Sequence, residues 1–178
     1  MSDSALLRFY RGEGADHGGR YLEEILGWDD QQLEEVHDFI QWLFQLDEPS
    51  PVNPFAPVVT AEDRRMFQTD KVLSSNVRRS FLRMLAFYGF RLVEDNAGVR
   101  VERSENWPRR ASSWLQPSNH NYLRLTRIIK SLGLLNLSEH GHALYDALAE
   151  EYQRGASSTI GPTTLGYWKS AAAASPDA

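Results

Sequence analysis

Asp29 to Leu46, DDQQLEEVHDFIQWLFQL, followed by the proline-rich run Asp47-Glu-Pro-Ser-Pro-Val-Asn-Pro54, decides how this chain reads. Leu33, Val36, His37, Ile40, Leu43 and Phe44 recur at the spacing that places side chains on one face of an α-helix. Asp29 is positioned to cap the first turn, with Gln32 reaching back to it. Trp28 and Leu33 are placed to close a hydrophobic staple. Pro49, Pro51 and Pro54 cannot continue a helix, so the reading is one helix from 29 to 46 with both ends encoded. Phe39 and Trp42 fall off its main apolar face, which predicts packing on two sides and a central place in the fold.

Working outward, the periodicity predicts a mainly α-helical single domain of six to eight helices with at most one small β-hairpin. Tyr21, Leu22, Ile25 and Leu26 share a face stopped by Gly27. Thr60 caps a helix with Asp63 at its third position. Asp70 opens a long one, with Leu73, Val77, Phe81, Met84 and Tyr88 as its core stripe and Gly89 as its stop. Between Phe90 and Arg103 the period shortens to two around Asn96-Ala-Gly98, the pattern of a hairpin. Asn106-Trp107-Pro108 opens a short helix. Tyr122, Leu125, Ile128, Ile129 and Leu132 then form an apolar face closed by Gly133, and Ser138 is expected to cap a last strong helix. The domain is expected to span 1–155. In the segment 156–178, Leu165, Tyr167 and Trp168 are expected to dock and the last eight or so residues to be mobile.

The 178 residues carry 42% apolar and 24% charged side chains, the balance of a soluble globular protein. The absence of cysteine excludes disulfides, thiolate metal sites and cysteine nucleophiles, and fits a reducing, cytosolic or nuclear setting. The N-terminus has no signal-peptide pattern, and no apolar run approaches the length of a membrane span. The net charge of -5 hides segregation: residues 1–70 carry 5 basic against 15 acidic groups, residues 71–130 carry 12 against 4, and residues 131–178 carry 2 against 5. Either the acidic and basic parts neutralise one another across the fold, or the basic middle faces an anionic partner.

Catalytic and metal chemistry find no support. There is no nucleophile elbow, and His140 and His142 lie two apart, pointing to different sides of a helix. No cofactor is called for. The best functional surface is polar: His120, Arg124 and Arg127 recur at i, i+4 and i+7, with Asn121 beside them and Ser131 on the same stripe. Asn106, Trp107, Arg109 and Arg110 precede that helix. Guanidiniums, an imidazole and an indole converging on one spot suit a peptide carboxylate, a phosphate or a base. The alternative is a solvated helix face paired with the acidic first third. A secondary candidate joins His37, Gln41, Trp42 and Asn53, where an aromatic ledge beside prolines suits an extended peptide, or Trp42 is simply covered by its own loop. A nucleic-acid or nucleotide reading rests on Arg78, Arg79, Arg83, Arg109, Arg110, Arg124 and Arg127. An enzyme acting on a phosphorylated small molecule, with His120 as acid/base, is a third reading.

An ordered set of blocks resembles the conserved N-terminal domain of the opioid growth factor receptor family. They are Leu33-Glu-x-x-His-Asp-x-Ile-Gln-Trp-Leu-Phe44, Arg83-Met-Leu-x-Phe-Tyr-Gly89, Asn106-Trp107, His120-Asn-x-Leu-Arg-x-Thr-Arg-Ile-x-Lys-Ser-Leu-Gly133, and the pair Arg8-Phe-Tyr-Arg11 with Ala56-Pro57-Val-Val-Thr60. The likeness spans roughly residues 8–152. Vertebrate members are described as intracellular, nucleus-associated receptors for the pentapeptide Met-enkephalin that restrain proliferation, and they carry long extensions after this domain. The resemblance thus implies a non-catalytic, receptor-like domain for a small peptide or other anionic ligand. Gln45 departs from the proline usual in the family after Trp-Leu-Phe. The chain reads as a minimal version of the domain, with a microbial source among the readings left open.

Overall fold

The computed structural model describes residues 3–174. The chain runs through α1 (Ala5–Tyr10), α2 (Leu22–Leu26), α3 (Asp30–Glu35), α4 (Ile40–Leu43), α5 (Ala61–Thr69) and α6 (Lys71–Tyr88), then the hairpin β1 (Phe90–Asp95) and β2 (Gly98–Arg103). It continues through α7 (Trp107–Trp114), α8 (Asn121–Leu134), α9 (Ser138–Glu151), a π-helical turn at Tyr152–Ala156, α10 (Ser157–Ile160) and α11 (Pro162–Ala173). The predicted class therefore stands: among the described residues six helices reach eight residues or more, and the sheet is one two-stranded antiparallel hairpin.

Local signals act as expected in most places, but Ser138 is not the cap of the last helix: it is the first residue of α9, with Leu137 at the cap position and no side-chain cap bond. Asp29 and Gln32 form a capping box on α3, and Thr60 and Asp63 form another on α5. Asp70 accepts from the backbone N–H of Val72 and Leu73 to start α6, and Gly89 ends it in the left-handed conformation at φ 87°. A side chain at Gly89 would also meet the Trp107 Cα at 2.9 Å, so glycine is required there twice over. The hairpin pairs Phe90 with Arg103 and closes at Asp95 and Gly98.

One continuous core gathers Leu6, Phe9 and Tyr10 of α1, the stripe of α6, Trp114 of α7, Leu125, Ile128 and Leu132 of α8, and Leu144 and Leu148 of α9. Helix α8 packs against α9 and α11, and β2 lies on α9. Trp168 is fully buried, its indole N–H donating to Tyr122 O at 3.1 Å, while Tyr167 is exposed. The segment after 155 is thus helical to Ala173. Of the eight residues expected to be mobile, those up to Ala173 belong to α11, and 175–178 lie outside the described residues.

The helix expected over 29–46 is corrected by the structure. It breaks at Val36, which adopts φ -87° and ψ 126°, and resumes only at Ile40. The turn re-aims the chain inward, so that Phe39, Ile40, Gln41, Trp42, Leu43, Phe44 and Gln45 are all buried. A straight amphipathic helix buries a stripe, not seven consecutive residues. The break leaves backbone carbonyls without helical partners, and those partners come from elsewhere in the fold.

Candidate functional site

The freed carbonyls decide where Arg124 goes. Its Nη1 donates to Leu33 O at 2.8 Å and to Asn121 Oδ1 at 3.5 Å, and its Nη2 donates to Val36 O at 3.0 Å. His37 Nδ1 lies 3.2 Å from the same Nη2 and is placed to accept, which in the neutral ring puts the imidazole proton on Nε2. Arg124 is 5% exposed, and burial lowers its pKa from the ordinary guanidinium value. One turn on, Arg127 Nη1 donates to Phe44 O at 3.1 Å, closing the end of α4. Burial likewise lowers the pKa of Arg127. Arg124 and Arg127 therefore face the broken segment rather than open solvent and Ser131 is fully buried, while His120 at the start of the stripe stays exposed.

Beside this seam lies a cleft of about 630 Å³ between α8 and the run 46–52. His37 and Gln41 line it from one side and His120, Arg124 and Arg127 from the other, so residues from the two separate sequence candidates meet in one place. Leu123 and Val52, 74% and 76% exposed, form apolar walls. At one end the His37 and His120 rings stand edge to face with centroids 5.3 Å apart. His120 Nε2 lies 3.2 Å from Glu34 Oε1. Burial, with the nearby Arg124 and His37, lowers the pKa of His120 from 6.5, and Glu34 opposes that shift. At the other end Lys130 pairs with Glu48 at 2.7 Å. Gln41 is 5% exposed, and its Oε1 has no hydrogen-bond partner among the described residues.

The remaining nominated residues lie elsewhere. Trp42 is buried, its indole N–H donating to His17 Nδ1 at 3.0 Å, and Phe55 stacks on the far face of that His17 ring. It is covered by its own surroundings and offers no ledge. Asn53 is buried and structural: its Nδ2 donates to Asp38 O at 3.0 Å, and its Oδ1 accepts from Phe55 N. Trp107 packs on Phe90 with centroids 4.8 Å apart, under the guanidinium of Arg103. It does not sit beside Arg124 and Arg127, so the expected convergence on the indole is not met. Arg110 donates to Phe87 O, and with Arg109 it fronts Asp30 across a separate hollow. Asn106 is exposed. Asn121 is fully buried, bridging Glu34 and Asn119.

The charge segregation is largely cancelled across the fold. Arg79 pairs with Glu23, Arg83 with Asp30, Lys130 with Glu48 and Arg103 with Glu151, each joining two of the three segments. Sequence reasoning missed Leu123, whose signal was legible: it is the leucine that falls off the apolar face of α8 and shares a stripe with Arg127 and Lys130. Val52 carried no such signal. No helix among the described residues is long and apolar enough to cross a membrane.

A family model described as the opioid growth factor receptor (OGFr) conserved region matches residues 1–172. The rat opioid growth factor receptor is 39% identical over 153 residues, covering 84% of this chain and 26% of that protein. The human receptor is 41% identical over 145 residues, covering 79% and 21%. The mouse opioid growth factor receptor-like protein 1 is 38% identical over 139 residues, covering 76% and 29%. The chain thus spans roughly a quarter of the length of the curated relatives it matches. No solved structure matches it.

Proposed function

The chain belongs to the opioid growth factor receptor family, and from that premise we propose that its domain is a non-catalytic binding module for a short peptide or similar anionic ligand, held in the cleft between α8 and the run 46–52. One observation carries the reading. His37 and Gln41 of the first block meet His120, Arg124 and Arg127 of another around a single opening of about 630 Å³, walled by two exposed apolar side chains. That volume falls within the range of roughly 300–1,000 Å³ typical of ligand pockets, and a few polar groups on an apolar wall are what fix a ligand's orientation. In this reading Asn121 and Arg124 shape the cleft and Arg127 contacts the ligand. An intracellular location with nuclear association is part of the same proposal.

Most arginines that a nucleic-acid partner would need already face carboxylates, which favours the peptide reading. The test is a thermal-shift screen of Met-enkephalin, other short peptides, nucleotides and phosphorylated metabolites, repeated on Leu123→Asp. A ligand at 100 times its Kd adds about 2.7 kcal/mol, which for a chain of this size raises Tm by about 5–11 °C. A peptide shift that disappears in Leu123→Asp supports the cleft. A shift retained at full strength removes it.

A further inference from the structure

We propose that the cleft receives the free carboxylate end of a peptide, with Arg127 gripping the carboxylate and Leu123 and Val52 flanking an apolar last side chain. The proposal rests on the binding reading above and names the chemistry of its ligand.

The first support is an imbalance of charge. Every arginine from Arg78 to Arg110 has a carboxylate within 4.0 Å; Arg124 and Arg127 have none among the described residues. The two lie three apart on α8, where like charges repel, and the carboxylates that offset them, Glu34 for Arg124 and Glu48 for Arg127, stand beyond ion-pair distance, so an added anion is favoured. Arg124 spends its four Nη hydrogens on Leu33 O, Val36 O, Asn121 and His37, so its charge is felt in the cleft while its donors are committed. Among the described residues Arg127 donates only to Phe44 O, which leaves most of its fork available to a ligand that lies in the cleft.

Two further features select the kind of anion. Asp38 and Glu48 also line the cleft, the former held by Arg20 and His17 and the latter by Lys130, so a dianion such as phosphate meets more repulsion than a monoanion. Gln41 sits one turn before Phe44, its Oε1 lacking a donor. A rotation about its last bond turns that oxygen toward an incoming N–H, and an unsatisfied buried carbonyl gains from one. An N–H donor, a monoanionic carboxylate and an apolar side chain held within one residue describe the C-terminal residue of a peptide.

The experiment uses fluorescence polarisation with labelled tetrapeptides ending in leucine, each made as the free acid and as the C-terminal amide. The free acid should bind about tenfold tighter or more, the usual worth of one charge-assisted contact. Arg127→Gln should erase that preference. Leu123→Asp, at a position too exposed to disturb folding, should weaken the acid more than the amide. Equal binding of acid and amide to the native protein overturns the proposal while leaving the cleft as a peptide site. Binding of neither form overturns both. An acid preference that survives Arg127→Gln overturns the proposal, and if that variant does not fold, an acid preference unchanged in Leu123→Asp does the same.

Discussion

Arg124 offers the sharpest test of how the fold is held, because its replacement distinguishes a structural guanidinium from a ligand-binding one. Arg124→Ala removes bonds to Leu33 O, Val36 O, Asn121 Oδ1 and His37 Nδ1 together. Two of these acceptors are backbone carbonyls at the end of α3, which the broken helix cannot satisfy itself. Leaving each buried carbonyl unpaired costs about 1–3 kcal/mol, and lost side-chain packing over Phe39, 5.5 Å from the guanidinium carbon, adds to it. Because the bonds form one network their losses are not additive, so the expected cost is roughly 3–5 kcal/mol. Against a typical total of about 5–15 kcal/mol that is a large share, and it lowers Tm by roughly 6–20 °C. Arg124→Lys supplies one ammonium where a fork spans two carbonyls, and should lose less than the alanine variant but not return to native stability. Urea denaturation followed by fluorescence gives the midpoint and slope for each. An Arg124→Ala unfolding free energy within about 1 kcal/mol of native would refute the account of the break at Val36.

Gly89→Ala should cost roughly 3 kcal/mol, combining a positive φ with a close approach to Trp107 Cα and Arg110 Cβ, both at 2.9 Å; thermal unfolding measures it, and a loss below about 1 kcal/mol would contradict the geometry. Asp95 is held down to a pKa of about 2 by hydrogen bonds from Arg100 and the Ala97 N–H. A depressed carboxylate contributes above its ordinary range and loses that contribution as pH falls toward about 2, so a carboxyl titration by NMR should show the low midpoint and Arg100→Gln should raise it toward about 3.9. For His120, whose pKa lies below 6.5 chiefly through burial, the folded state binds fewer protons than the unfolded chain, so stability falls as pH drops below about 6.5. Glu34→Gln removes the partner that opposes the shift, and the His120 midpoint should move lower still; a rise would show that Glu34 is not its counter-charge.

Caps, stops and periods were legible because they are local. Asp29 with Gln32, Thr60 with Asp63, Asp70 and Gly89 each act within one turn of themselves, and the hairpin at 90–103 is written in its alternation and its turn. The site was half legible. Spacing grouped the polar stripe on α8, while His37 and Gln41 were read as part of a separate ledge with Trp42 and Asn53, so their meeting across one cleft was not foreseen. Spacing does not say whether a guanidinium meets solvent or a backbone carbonyl, because that depends on what stands opposite.

The sequence by itself determined that the chain is helical, where most helices begin and end, and which positions form the core stripes. Only the tertiary structure decided that 29–46 breaks at Val36. Its periodicity favours one helix, and the gain from burying seven consecutive residues outweighs a few backbone bonds once Arg124 supplies donors from 88 residues away. The same long-range contact turns two distant blocks toward one cleft. Local rules describe bonds a segment makes with itself, and this site is built from the bonds it could not make.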